Sequence, residues 1–393
     1  MTKTDEILSI KNVYKVFGNE PDTAMQMLEK GADKNEIFEK TGQVIGVFDA
    51  SFSVRKGEIF VIMGLSGSGK STLVRLLNRL IEPTAGSITL NGRDITRLAD
   101  KDLLDVRRKD MSMVFQSFAL MPHMSVLENA AFGLEISGVP EVERHRRAQD
   151  ALSQVGLGEH GASFPHQLSG GMQQRVGLAR ALTNDPTILL MDEAFSALDP
   201  LIRYEMQGEL IRLQKEQERT IIFISHDLDE AIRIGDRIAI MEGGRIVQIG
   251  TPQEILRNPA DDYVETFFKG VDISKILKAG DIAHKDPRSL IKLNGSVSLL
   301  DASADIQFRY LLDDQEQLQG IVTGGDFAGQ APDMAALDAL KVAQPLSIRS
   351  DTPLHEVMTL VADTAYPLPV LDGQGAFLGT ISKSLLLQTL SHQ

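Results

Sequence analysis

The chain has 393 residues, of which 42% are hydrophobic and 24% are charged, with a formal net charge of −14 and no cysteine. These values are typical of a globular protein of two or three domains, and they exclude disulfides and thiolate chemistry. Residues 271–393 hold 9 basic and 15 acidic residues, which leaves a charge of −8 on residues 1–270. Neither part has the basic excess that non-specific nucleic-acid binding requires.

The first residues, MTKTDEILSI, do not combine a basic flank with a long apolar stretch, so we expect no secretory signal. No apolar run approaches the roughly 20 residues that span a bilayer. If the protein moves a solute across a membrane, we therefore expect other chains to supply the pore.

Short apolar runs bounded by turn residues predict an α/β domain with a mainly parallel sheet in the first 250 residues or so. Strands are predicted at 7–14, 58–63, 187–191, 220–225 and 237–241, and a helix is predicted at 70–80.

Residues 19–46 interrupt this pattern, and we predict a small helical hairpin there. Asp22 and Asp33 are candidate N-caps, and Gly31 and Gly42 are candidate helix ends. The apolar residues that we expect to face inward are Met27, Leu28, Ile37 and Phe38. We expect a packing element here rather than a binding site.

An internal repeat appears after residue 270. Leu312–Thr323 is similar to Leu371–Ser382, with Asp313 matching Asp372, and each copy has the pattern strand, tight turn, strand. The repeat predicts a tandem pair of small α+β modules, at about 280–335 and 340–393.

A phosphate-binding loop is predicted between the strand 58–63 and the helix 70–80. The sequence GLSGSGKS at 64–71 fits the pattern G-x-x-x-x-G-K-[ST] in the required strand–loop–helix context. Backbone N–H groups and the helix N-terminus would surround the phosphates, Lys70 would reach the β- and γ-phosphates, and Ser71 would coordinate Mg²⁺. The candidate ATP-binding residues here are Gly64, Ser66, Gly67, Ser68, Gly69, Lys70, Ser71 and Thr72.

Two acidic residues, Asp192 and Glu193, follow the predicted strand 187–191. Because they come after a phosphate loop, we predict that Asp192 holds Mg²⁺, directly or through water. Glu193 would then polarise the attacking water as a general base.

Further motifs resemble those of ATP-binding-cassette (ABC) ATPases. Leu168–Gln173 (LSGGMQ) resembles the signature motif, Gln116 follows a strand as the family's Q-loop glutamine does, Ser196–Asp199 resembles the D-loop, and His226 resembles the switch histidine. The resemblance implies a P-loop ABC ATPase domain with a mixed sheet and a helical signature subdomain at about 117–180.

The same resemblance implies a homodimer in which two copies lie head to tail, with ATP between the phosphate loop of one copy and the signature of the other. Ser169, Gly170 and Gly171 would donate to the γ-phosphate in trans, and Asp199 would cross the interface. Met172 stands where the family usually has glutamine, and because Ser-Gly-Gly is intact we expect activity to survive.

Within one copy, the resemblance implies that Gln116 contacts Mg²⁺ and the attacking water and reports nucleotide occupancy to a membrane partner. His226 would hold the γ-phosphate and position the water together with Glu193. Phe17 aligns with the aromatic residue that stacks on adenine, although an ordinary packing role is the alternative. Mg²⁺ with ATP is the implied cofactor.

The resemblance is closer still to the ATPases of glycine betaine and proline-betaine importers. It rests on the insertion 19–46, the stretches 57–86 and 191–203, and a C-terminal repeat similar to tandem CBS modules. We therefore divide the chain into an ABC ATPase domain, 1–270, and a CBS domain, 271–393. The resemblance implies an integral membrane permease, an external substrate-binding protein and a peripheral location on the cytoplasmic face of the inner membrane.

Two alternatives remain open at this point. One is an ABC importer ATPase for choline, carnitine or an amino acid, since the solute would contact other chains. The other is a soluble cassette ATPase that does not transport; this class predicts a coiled-coil insertion, a second cassette or basic surfaces, none of which the sequence has.

The CBS resemblance implies a candidate site for a regulatory nucleotide. Its ribose contact is an aspartate three residues after Thr or Ser, and the first copy provides Thr323 and Asp326. The second copy has Ser382 followed by Leu385, so its aspartate is missing and at most one half-site is complete.

Overall fold

The computed structural model describes residues 6–293, 297–299, 306–323, 342 and 345–391. The chain divides into two compact units, Met1–Phe268 and Lys269–Gln393. Within the described ranges, no helix has both the length and the apolar character needed to cross a membrane.

The first unit contains two sheets. One is antiparallel with the order β2-β1-β4-β5, and the other has the order β10-β9-β3-β8-β7-β6, in which β10 alone runs antiparallel to its neighbour. The strands are β1 (Glu6–Phe17), β2 (Val44–Arg55), β3 (Ile59–Met63), β4 (Ala85–Leu90), β5 (Arg93–Asp94), β6 (Met111–Val114), β7 (Ile188–Asp192), β8 (Thr220–Ser225), β9 (Arg237–Glu242) and β10 (Arg245–Gly250).

The helices of this unit are α1 (Pro21–Glu29), α2 (Lys34–Thr41), α3 (Lys70–Leu77), α4 (Asp100–Lys109), α5 (Val126–Glu135), α6 (Glu141–Gln154), α7 (Gly170–Leu182), α8 (Pro200–Gln217), α9 (Leu228–Ile234), α10 (Pro252–Arg257) and α11 (Asp262–Phe268). Most of them connect the strands, and α10 and α11 follow β10. Three of the connecting helices, α5 to α7, come after Gln116 and before β7, and we call them the helical part.

The parallel strands are the core of the first unit. Every residue of β3, β7 and β8 is buried, as expected for strands that are covered on both faces. In parallel strands the carboxyl ends meet at one edge of the sheet, where binding sites of α/β proteins form. The predicted α/β fold with a mixed sheet is confirmed, and each predicted strand overlaps an observed one.

The helical hairpin predicted in 19–46 is present as α1 and α2. Asp33 caps α2 by accepting from the Glu36 N–H, and Gly42 ends it at φ 69°. Two details of the prediction were wrong. The N-cap of α1 is Glu20, with Asp22 inside the first turn, and Phe38 is 56% exposed. Successive helical residues point about 100° apart, so on this short helix Ile37 takes the inward position and Phe38 cannot share it.

The second unit also has two sheets, with the orders β12-β11-β13-β14 and β15-β16-β17 among the described strands. Its strands are β11 (Leu290–Leu293), β12 (Val297–Leu299), β13 (Phe308–Leu312), β14 (Leu318–Thr323), β15 (Ile348–Arg349), β16 (Leu368–Leu371) and β17 (Phe377–Ile381). Its helices among the described residues are α12 (Ala279–Ile282), α13 (Leu354–Asp363) and α14 (Lys383–Ser391).

The two copies of the internal repeat have the same local structure. β13–β14 and β16–β17 are antiparallel hairpins, and a parallel strand, β11 or β15, flanks each. Asp313 Oδ1 accepts two backbone N–H groups at 2.9 Å, and Asp372 Oδ1 accepts the two corresponding ones at 2.8 Å. The predicted strand–turn–strand pattern is confirmed in both copies.

Candidate nucleotide and catalytic site

The phosphate loop has a backbone that only glycine permits at two of its positions. Gly64 has φ +153°, and a Cβ there would lie 2.2 Å from the Met241 carbonyl oxygen. Gly69 has φ +99°, and a Cβ there would lie 2.4 Å from the Gly46 carbonyl oxygen. These close approaches let the chain turn directly from β3 into α3. The N-terminus of α3 has no side-chain cap, and the buried Ser68 hydroxyl has no hydrogen-bond partner among the described residues.

An uncapped helix N-terminus with a buried, unpaired hydroxyl beside it fits an anionic phosphate group, because both offer donors that the fold itself does not use. Lys70 is only 5% exposed, and its Nζ donates to the Gly64 oxygen at 2.9 Å and to the Leu65 oxygen at 3.0 Å. Burial lowers the pKa of Lys70, while the charges of Glu193 and Asp192 act in the opposite direction.

Two oxygen-bearing side chains meet beside this loop. Ser71 Oγ donates to Asp192 Oδ1 at 2.8 Å, and the Arg75 guanidinium lies 3.6 Å from the other oxygen of Asp192. A hydroxyl and a buried carboxylate are the hard oxygen donors that Mg²⁺ prefers, with waters and phosphate oxygens completing its octahedron. The donor set therefore fits Mg²⁺.

Three residues predicted to be catalytic lie together at the carboxyl edge of the parallel sheet. Glu193 Oε2 is 3.3 Å from Gln116 Nε2 and 3.4 Å from His226 Nδ1. They come from the ends of three adjacent strands, β6, β7 and β8, which explains how residues distant in sequence meet. Glu193 also has φ 47°, a left-handed conformation that is uncommon for a residue with a side chain and that is often found at functional sites.

The D-loop contributes contacts that the sequence analysis did not assign. Ser196 Oγ accepts from Gln116 Nε2 at 3.2 Å and donates to the Glu193 carbonyl oxygen at 2.9 Å. Arg203 Nη2 donates to the Ser196 and Leu198 oxygens at 3.3 and 3.2 Å. In the sequence, the available signal was that Arg203 lies one helical turn after Pro200, the first residue of α8. The hydrogen-bond partners of Arg203 could not be predicted, because they depend on the tertiary structure.

Phe17 lies next to the phosphate loop at the end of β1. Phe17 is 40% exposed, and its ring lies so close to Gly46 that a Cβ on this glycine would be 2.6 Å from the ring. The same Cβ position is 3.4 Å from the methyl group of Thr72, so Phe17 and Thr72 border one spot. A half-exposed ring beside the first turn of α3 is available for stacking on a base.

The signature residues start α7. Ser169 is the N-cap and accepts from the Met172 N–H at 3.3 Å, and Gly171 packs so closely on Ile202 that a Cβ would be 2.6 Å from its side chain. Asp199 caps α8 by accepting from two N–H groups at 3.1 and 3.2 Å. Among the residues that the structure describes, no hydrogen bond joins the signature residues to the phosphate loop of the same copy.

In the second unit, Thr323 ends β14, while Asp326, the other half of the predicted nucleotide contact, lies outside the described residues. A cavity of about 730 Å³ in this unit is lined by residues of both modules of the repeat. Side chains on its wall include Asp286, Arg288, Tyr310, Tyr366, Ser382 and Lys383.

Comparisons with known proteins agree with this geometry. A family model described as ABC transporter matches residues 47–196, and one described as CBS domain matches residues 339–392, which is the second repeat. A solved dimeric structure of an ATP-binding cassette in a post-hydrolysis state, bound to ADP and Pi, is 30% identical and covers 62% of this chain and 98% of its own, with a TM-score of 0.53.

Two curated relatives align over almost the whole length. The glycine betaine/proline betaine transport system ATP-binding protein ProV of Salmonella typhimurium is 52% identical over 98% of both chains. The glycine betaine transport ATP-binding protein OpuAA of Bacillus subtilis is 50% identical over 98% of this chain and 92% of its own. The chain therefore belongs to the family of ATP-binding subunits of glycine betaine/proline betaine ABC transport systems.

Proposed function

We propose that this chain hydrolyses MgATP to drive the import of glycine betaine or a related quaternary-ammonium osmoprotectant through a separate membrane permease. The observation that carries the proposal is the meeting of Gln116, Glu193 and His226 beside the loop that holds Lys70 and Ser71. A site of this kind, in a chain that matches betaine-transport subunits over nearly their whole length, favours an ATPase of that class.

The phosphate loop binds the nucleotide. Its backbone N–H groups and Lys70 hold the phosphate oxygens, and Phe17 stacks on the adenine. When bound, Mg²⁺ would supply positive charge that offsets the negative charge of the phosphate oxygens. Ser71 and Asp192 are the residues that would hold this ion, and Gln116 is proposed as a third residue in contact with it.

Glu193 acts on the attacking water. As a carboxylate beside Gln116 and His226, Glu193 accepts a proton from the water, and the side chains of Gln116 and His226 orient this water. The neutral form of His226 donates from one ring nitrogen and accepts at the other, so it can contact both the water and the γ-phosphate. Ser196 ties the D-loop to Gln116 and to the backbone of Glu193, which keeps the group together.

The active assembly is a homodimer in which Ser169, Gly170, Gly171 and Met172 of one copy cover the nucleotide on the other, and Asp199 lies at the interface. The dimeric cassette that this chain resembles supports the arrangement. ATP closes the dimer by binding the closed state more tightly than the open one, and loss of the γ-phosphate reopens it. We place the dimer at the cytoplasmic face of the inner membrane, bound to its permease, with an external substrate-binding protein acting through that permease.

The permease-docking surface is proposed within 117–138, where Phe118, Leu120, Met121 and Met124 are all half-buried.

The second unit is proposed to bind a regulatory nucleotide. Its cavity combines the cations Arg288 and Lys383 with the aromatic ring of Tyr366, which suits a phosphate and a base. Thr323 and Asp326 remain the proposed ribose contact of the first repeat.

Uptake of radiolabelled glycine betaine at high osmolarity tests the function. Cells lacking the protein receive the wild-type chain, Glu193→Gln or the surface variant Glu216→Gln. We expect wild type and Glu216→Gln to restore uptake and Glu193→Gln to fail. Restoration by none of them would contradict the choice of solute, and choline, carnitine and amino acids would be tested next. Restoration by Glu193→Gln would contradict the role of the general base.

A further inference from the structure

The segment that follows Gln116 is held by the helical part of the first unit. Arg180, on α7, donates from Nη1 to the Ala119 carbonyl oxygen at 2.7 Å and from Nη2 to the Phe118 carbonyl oxygen at 3.2 Å. Burial lowers the pKa of the Arg180 guanidinium, so a charged group has been taken partly out of water to make these contacts. A fork with several donors holds two successive carbonyl groups in a way that a single ammonium cannot.

The backbone at this position needs such support. Ala119 has φ +47°, a left-handed conformation that alanine disfavours. The neighbouring Phe118 ring lies against the start of α7, since a Cβ on Gly170 would be 3.7 Å from the ring. Arg180 and Gly170 are ten positions apart on the same helix and both contact Phe118, while Arg180 also holds Ala119.

The far end of the segment is held by α5. The Asn129 side chain is fully buried; its Oδ1 accepts from the Met121 N–H at 2.7 Å, and its Nδ2 donates to the Met121 and Met124 oxygens at 3.0 Å. Residues 118–124 are therefore attached at both ends to α5 and α7.

Gln116 has different partners. Its Nε2 contacts Glu193 and Ser196, which lie after β7 at the edge of the parallel sheet. Gln116 contacts residues at the edge of the sheet, and residues 118–124 contact the helical part. Only Ser117, which is exposed, lies between them in the chain. Any displacement of α7 relative to the sheet must then be absorbed at Ser117 or passed to Gln116.

We propose that Arg180 is a positioning residue that makes residues 118–124 move with the signature helix, so that the position of α7 sets the position of Gln116 beside Glu193. This inference rests on the proposed ATPase function. When the signature of one copy docks on the neighbouring copy, this connection transmits the movement of α7 to Gln116 in the copy that carries the signature. Arg180 itself touches no reacting atom.

The test compares Arg180→Met and Arg180→Lys with Arg175→Met in the full chain. Arg175 is a matched control, because it lies on the same helix, donates to the Val155 carbonyl oxygen at 3.3 Å and lies 3.6 Å from Glu205. The measurements are kcat and KM for MgATP, binding of MgATP, and the melting temperature. Stimulation of ATPase activity by glycine betaine is then measured in proteoliposomes that contain the permease and the binding protein.

We expect Arg180→Met to lower kcat about tenfold, equivalent to about 1.4 kcal/mol, with KM and MgATP binding unchanged. Arg180→Lys should fall between this variant and wild type, Arg175→Met should match wild type, and stimulation should be lost in parallel with the effect on kcat. If Arg180→Met fails to fold, a lower kcat at unchanged KM in Arg180→Lys supports the proposal.

A wild-type kcat in Arg180→Lys and Arg180→Met, a rise in KM alone, or an equal loss in Arg175→Met would overturn the proposal. An inactive wild-type chain would instead contradict the proposed ATPase function and remove the basis for this inference. The basal kcat and KM do not depend on which solute is transported, so a failure of the glycine betaine assignment is visible separately, as the absence of stimulation in wild type.

Discussion

Replacing Glu193 with glutamine removes the proposed base and preserves the shape of the site. The amide oxygen of glutamine can still accept from Gln116, whose Nε2 lies 3.3 Å from the present carboxylate. A general base contributes about 10²- to 10⁴-fold to a rate, so we expect kcat to fall by at least about 100-fold. This corresponds to at least about 2.7 kcal/mol of the barrier. KM and MgATP binding should not change, because Lys70 and Ser71 keep their contacts.

The assay is phosphate release by the full chain over a range of MgATP concentrations, with binding measured separately on the same preparation. Glu216→Gln is the control, because Glu216 lies on the surface of α8 and pairs with Arg212 at 3.0 Å, away from the site. If the kcat of Glu193→Gln were within about threefold of wild type, a change of less than about 0.7 kcal/mol in the activation barrier, the assignment of Glu193 as general base would be refuted. A large rise in KM would show instead that Glu193 acts in binding.

Three other substitutions test separate parts of the molecule. Phe17→Ala should raise the Kd for ATP about tenfold at unchanged saturated turnover, because stacking on a base is worth about 1–3 kcal/mol. Burial raises the pKa of Glu230 above 4.5, so wild-type stability should fall as pH rises from about 4.5 through the folded-state pKa, and Glu230→Gln should remove this part of the pH dependence. Asp372→Ala and Asp313→Ala should each cost about 2 kcal/mol, since each frees two backbone N–H groups.

Each of these has its own control and measurement. Phe17→Tyr keeps the ring and should bind fluorescent ATP like wild type; equal binding by Phe17→Ala would show a packing role. For Glu230, stability falls as pH rises because the pKa is higher in the folded chain than in the unfolded chain. Above pH 4.5 the folded chain therefore binds more protons than the unfolded chain. If the stability of wild type and of Glu230→Gln changed with pH in the same way, this reasoning would be contradicted. For the two aspartates, thermal unfolding of the full chain is the measurement, and a melting curve unchanged in either variant would contradict it.

Much of the fold and site could be predicted from local sequence. The phosphate loop is contiguous, and its glycines at 64 and 69 occupy backbone conformations that no other residue fits, so the motif carries its own geometry. The buried strands β3, β7 and β8 were visible as apolar runs because both of their faces are covered. The repeat was visible because Asp313 and Asp372 close the same turn through hydrogen bonds within four residues.

By itself, then, the sequence determined the class of ATPase and the betaine-transporter resemblance, and it predicted the candidate site residues, since these depend on short motifs and their order. Only the tertiary structure decided which side chains meet. Gln116 and Glu193 are 77 positions apart and come together because β6 and β7 are neighbours in a parallel sheet. The contacts of Arg180 likewise follow from which surfaces pack together. Helical periodicity separates Ile37 from Phe38, but only the packing of α2 decides that Ile37 is the residue that faces inward.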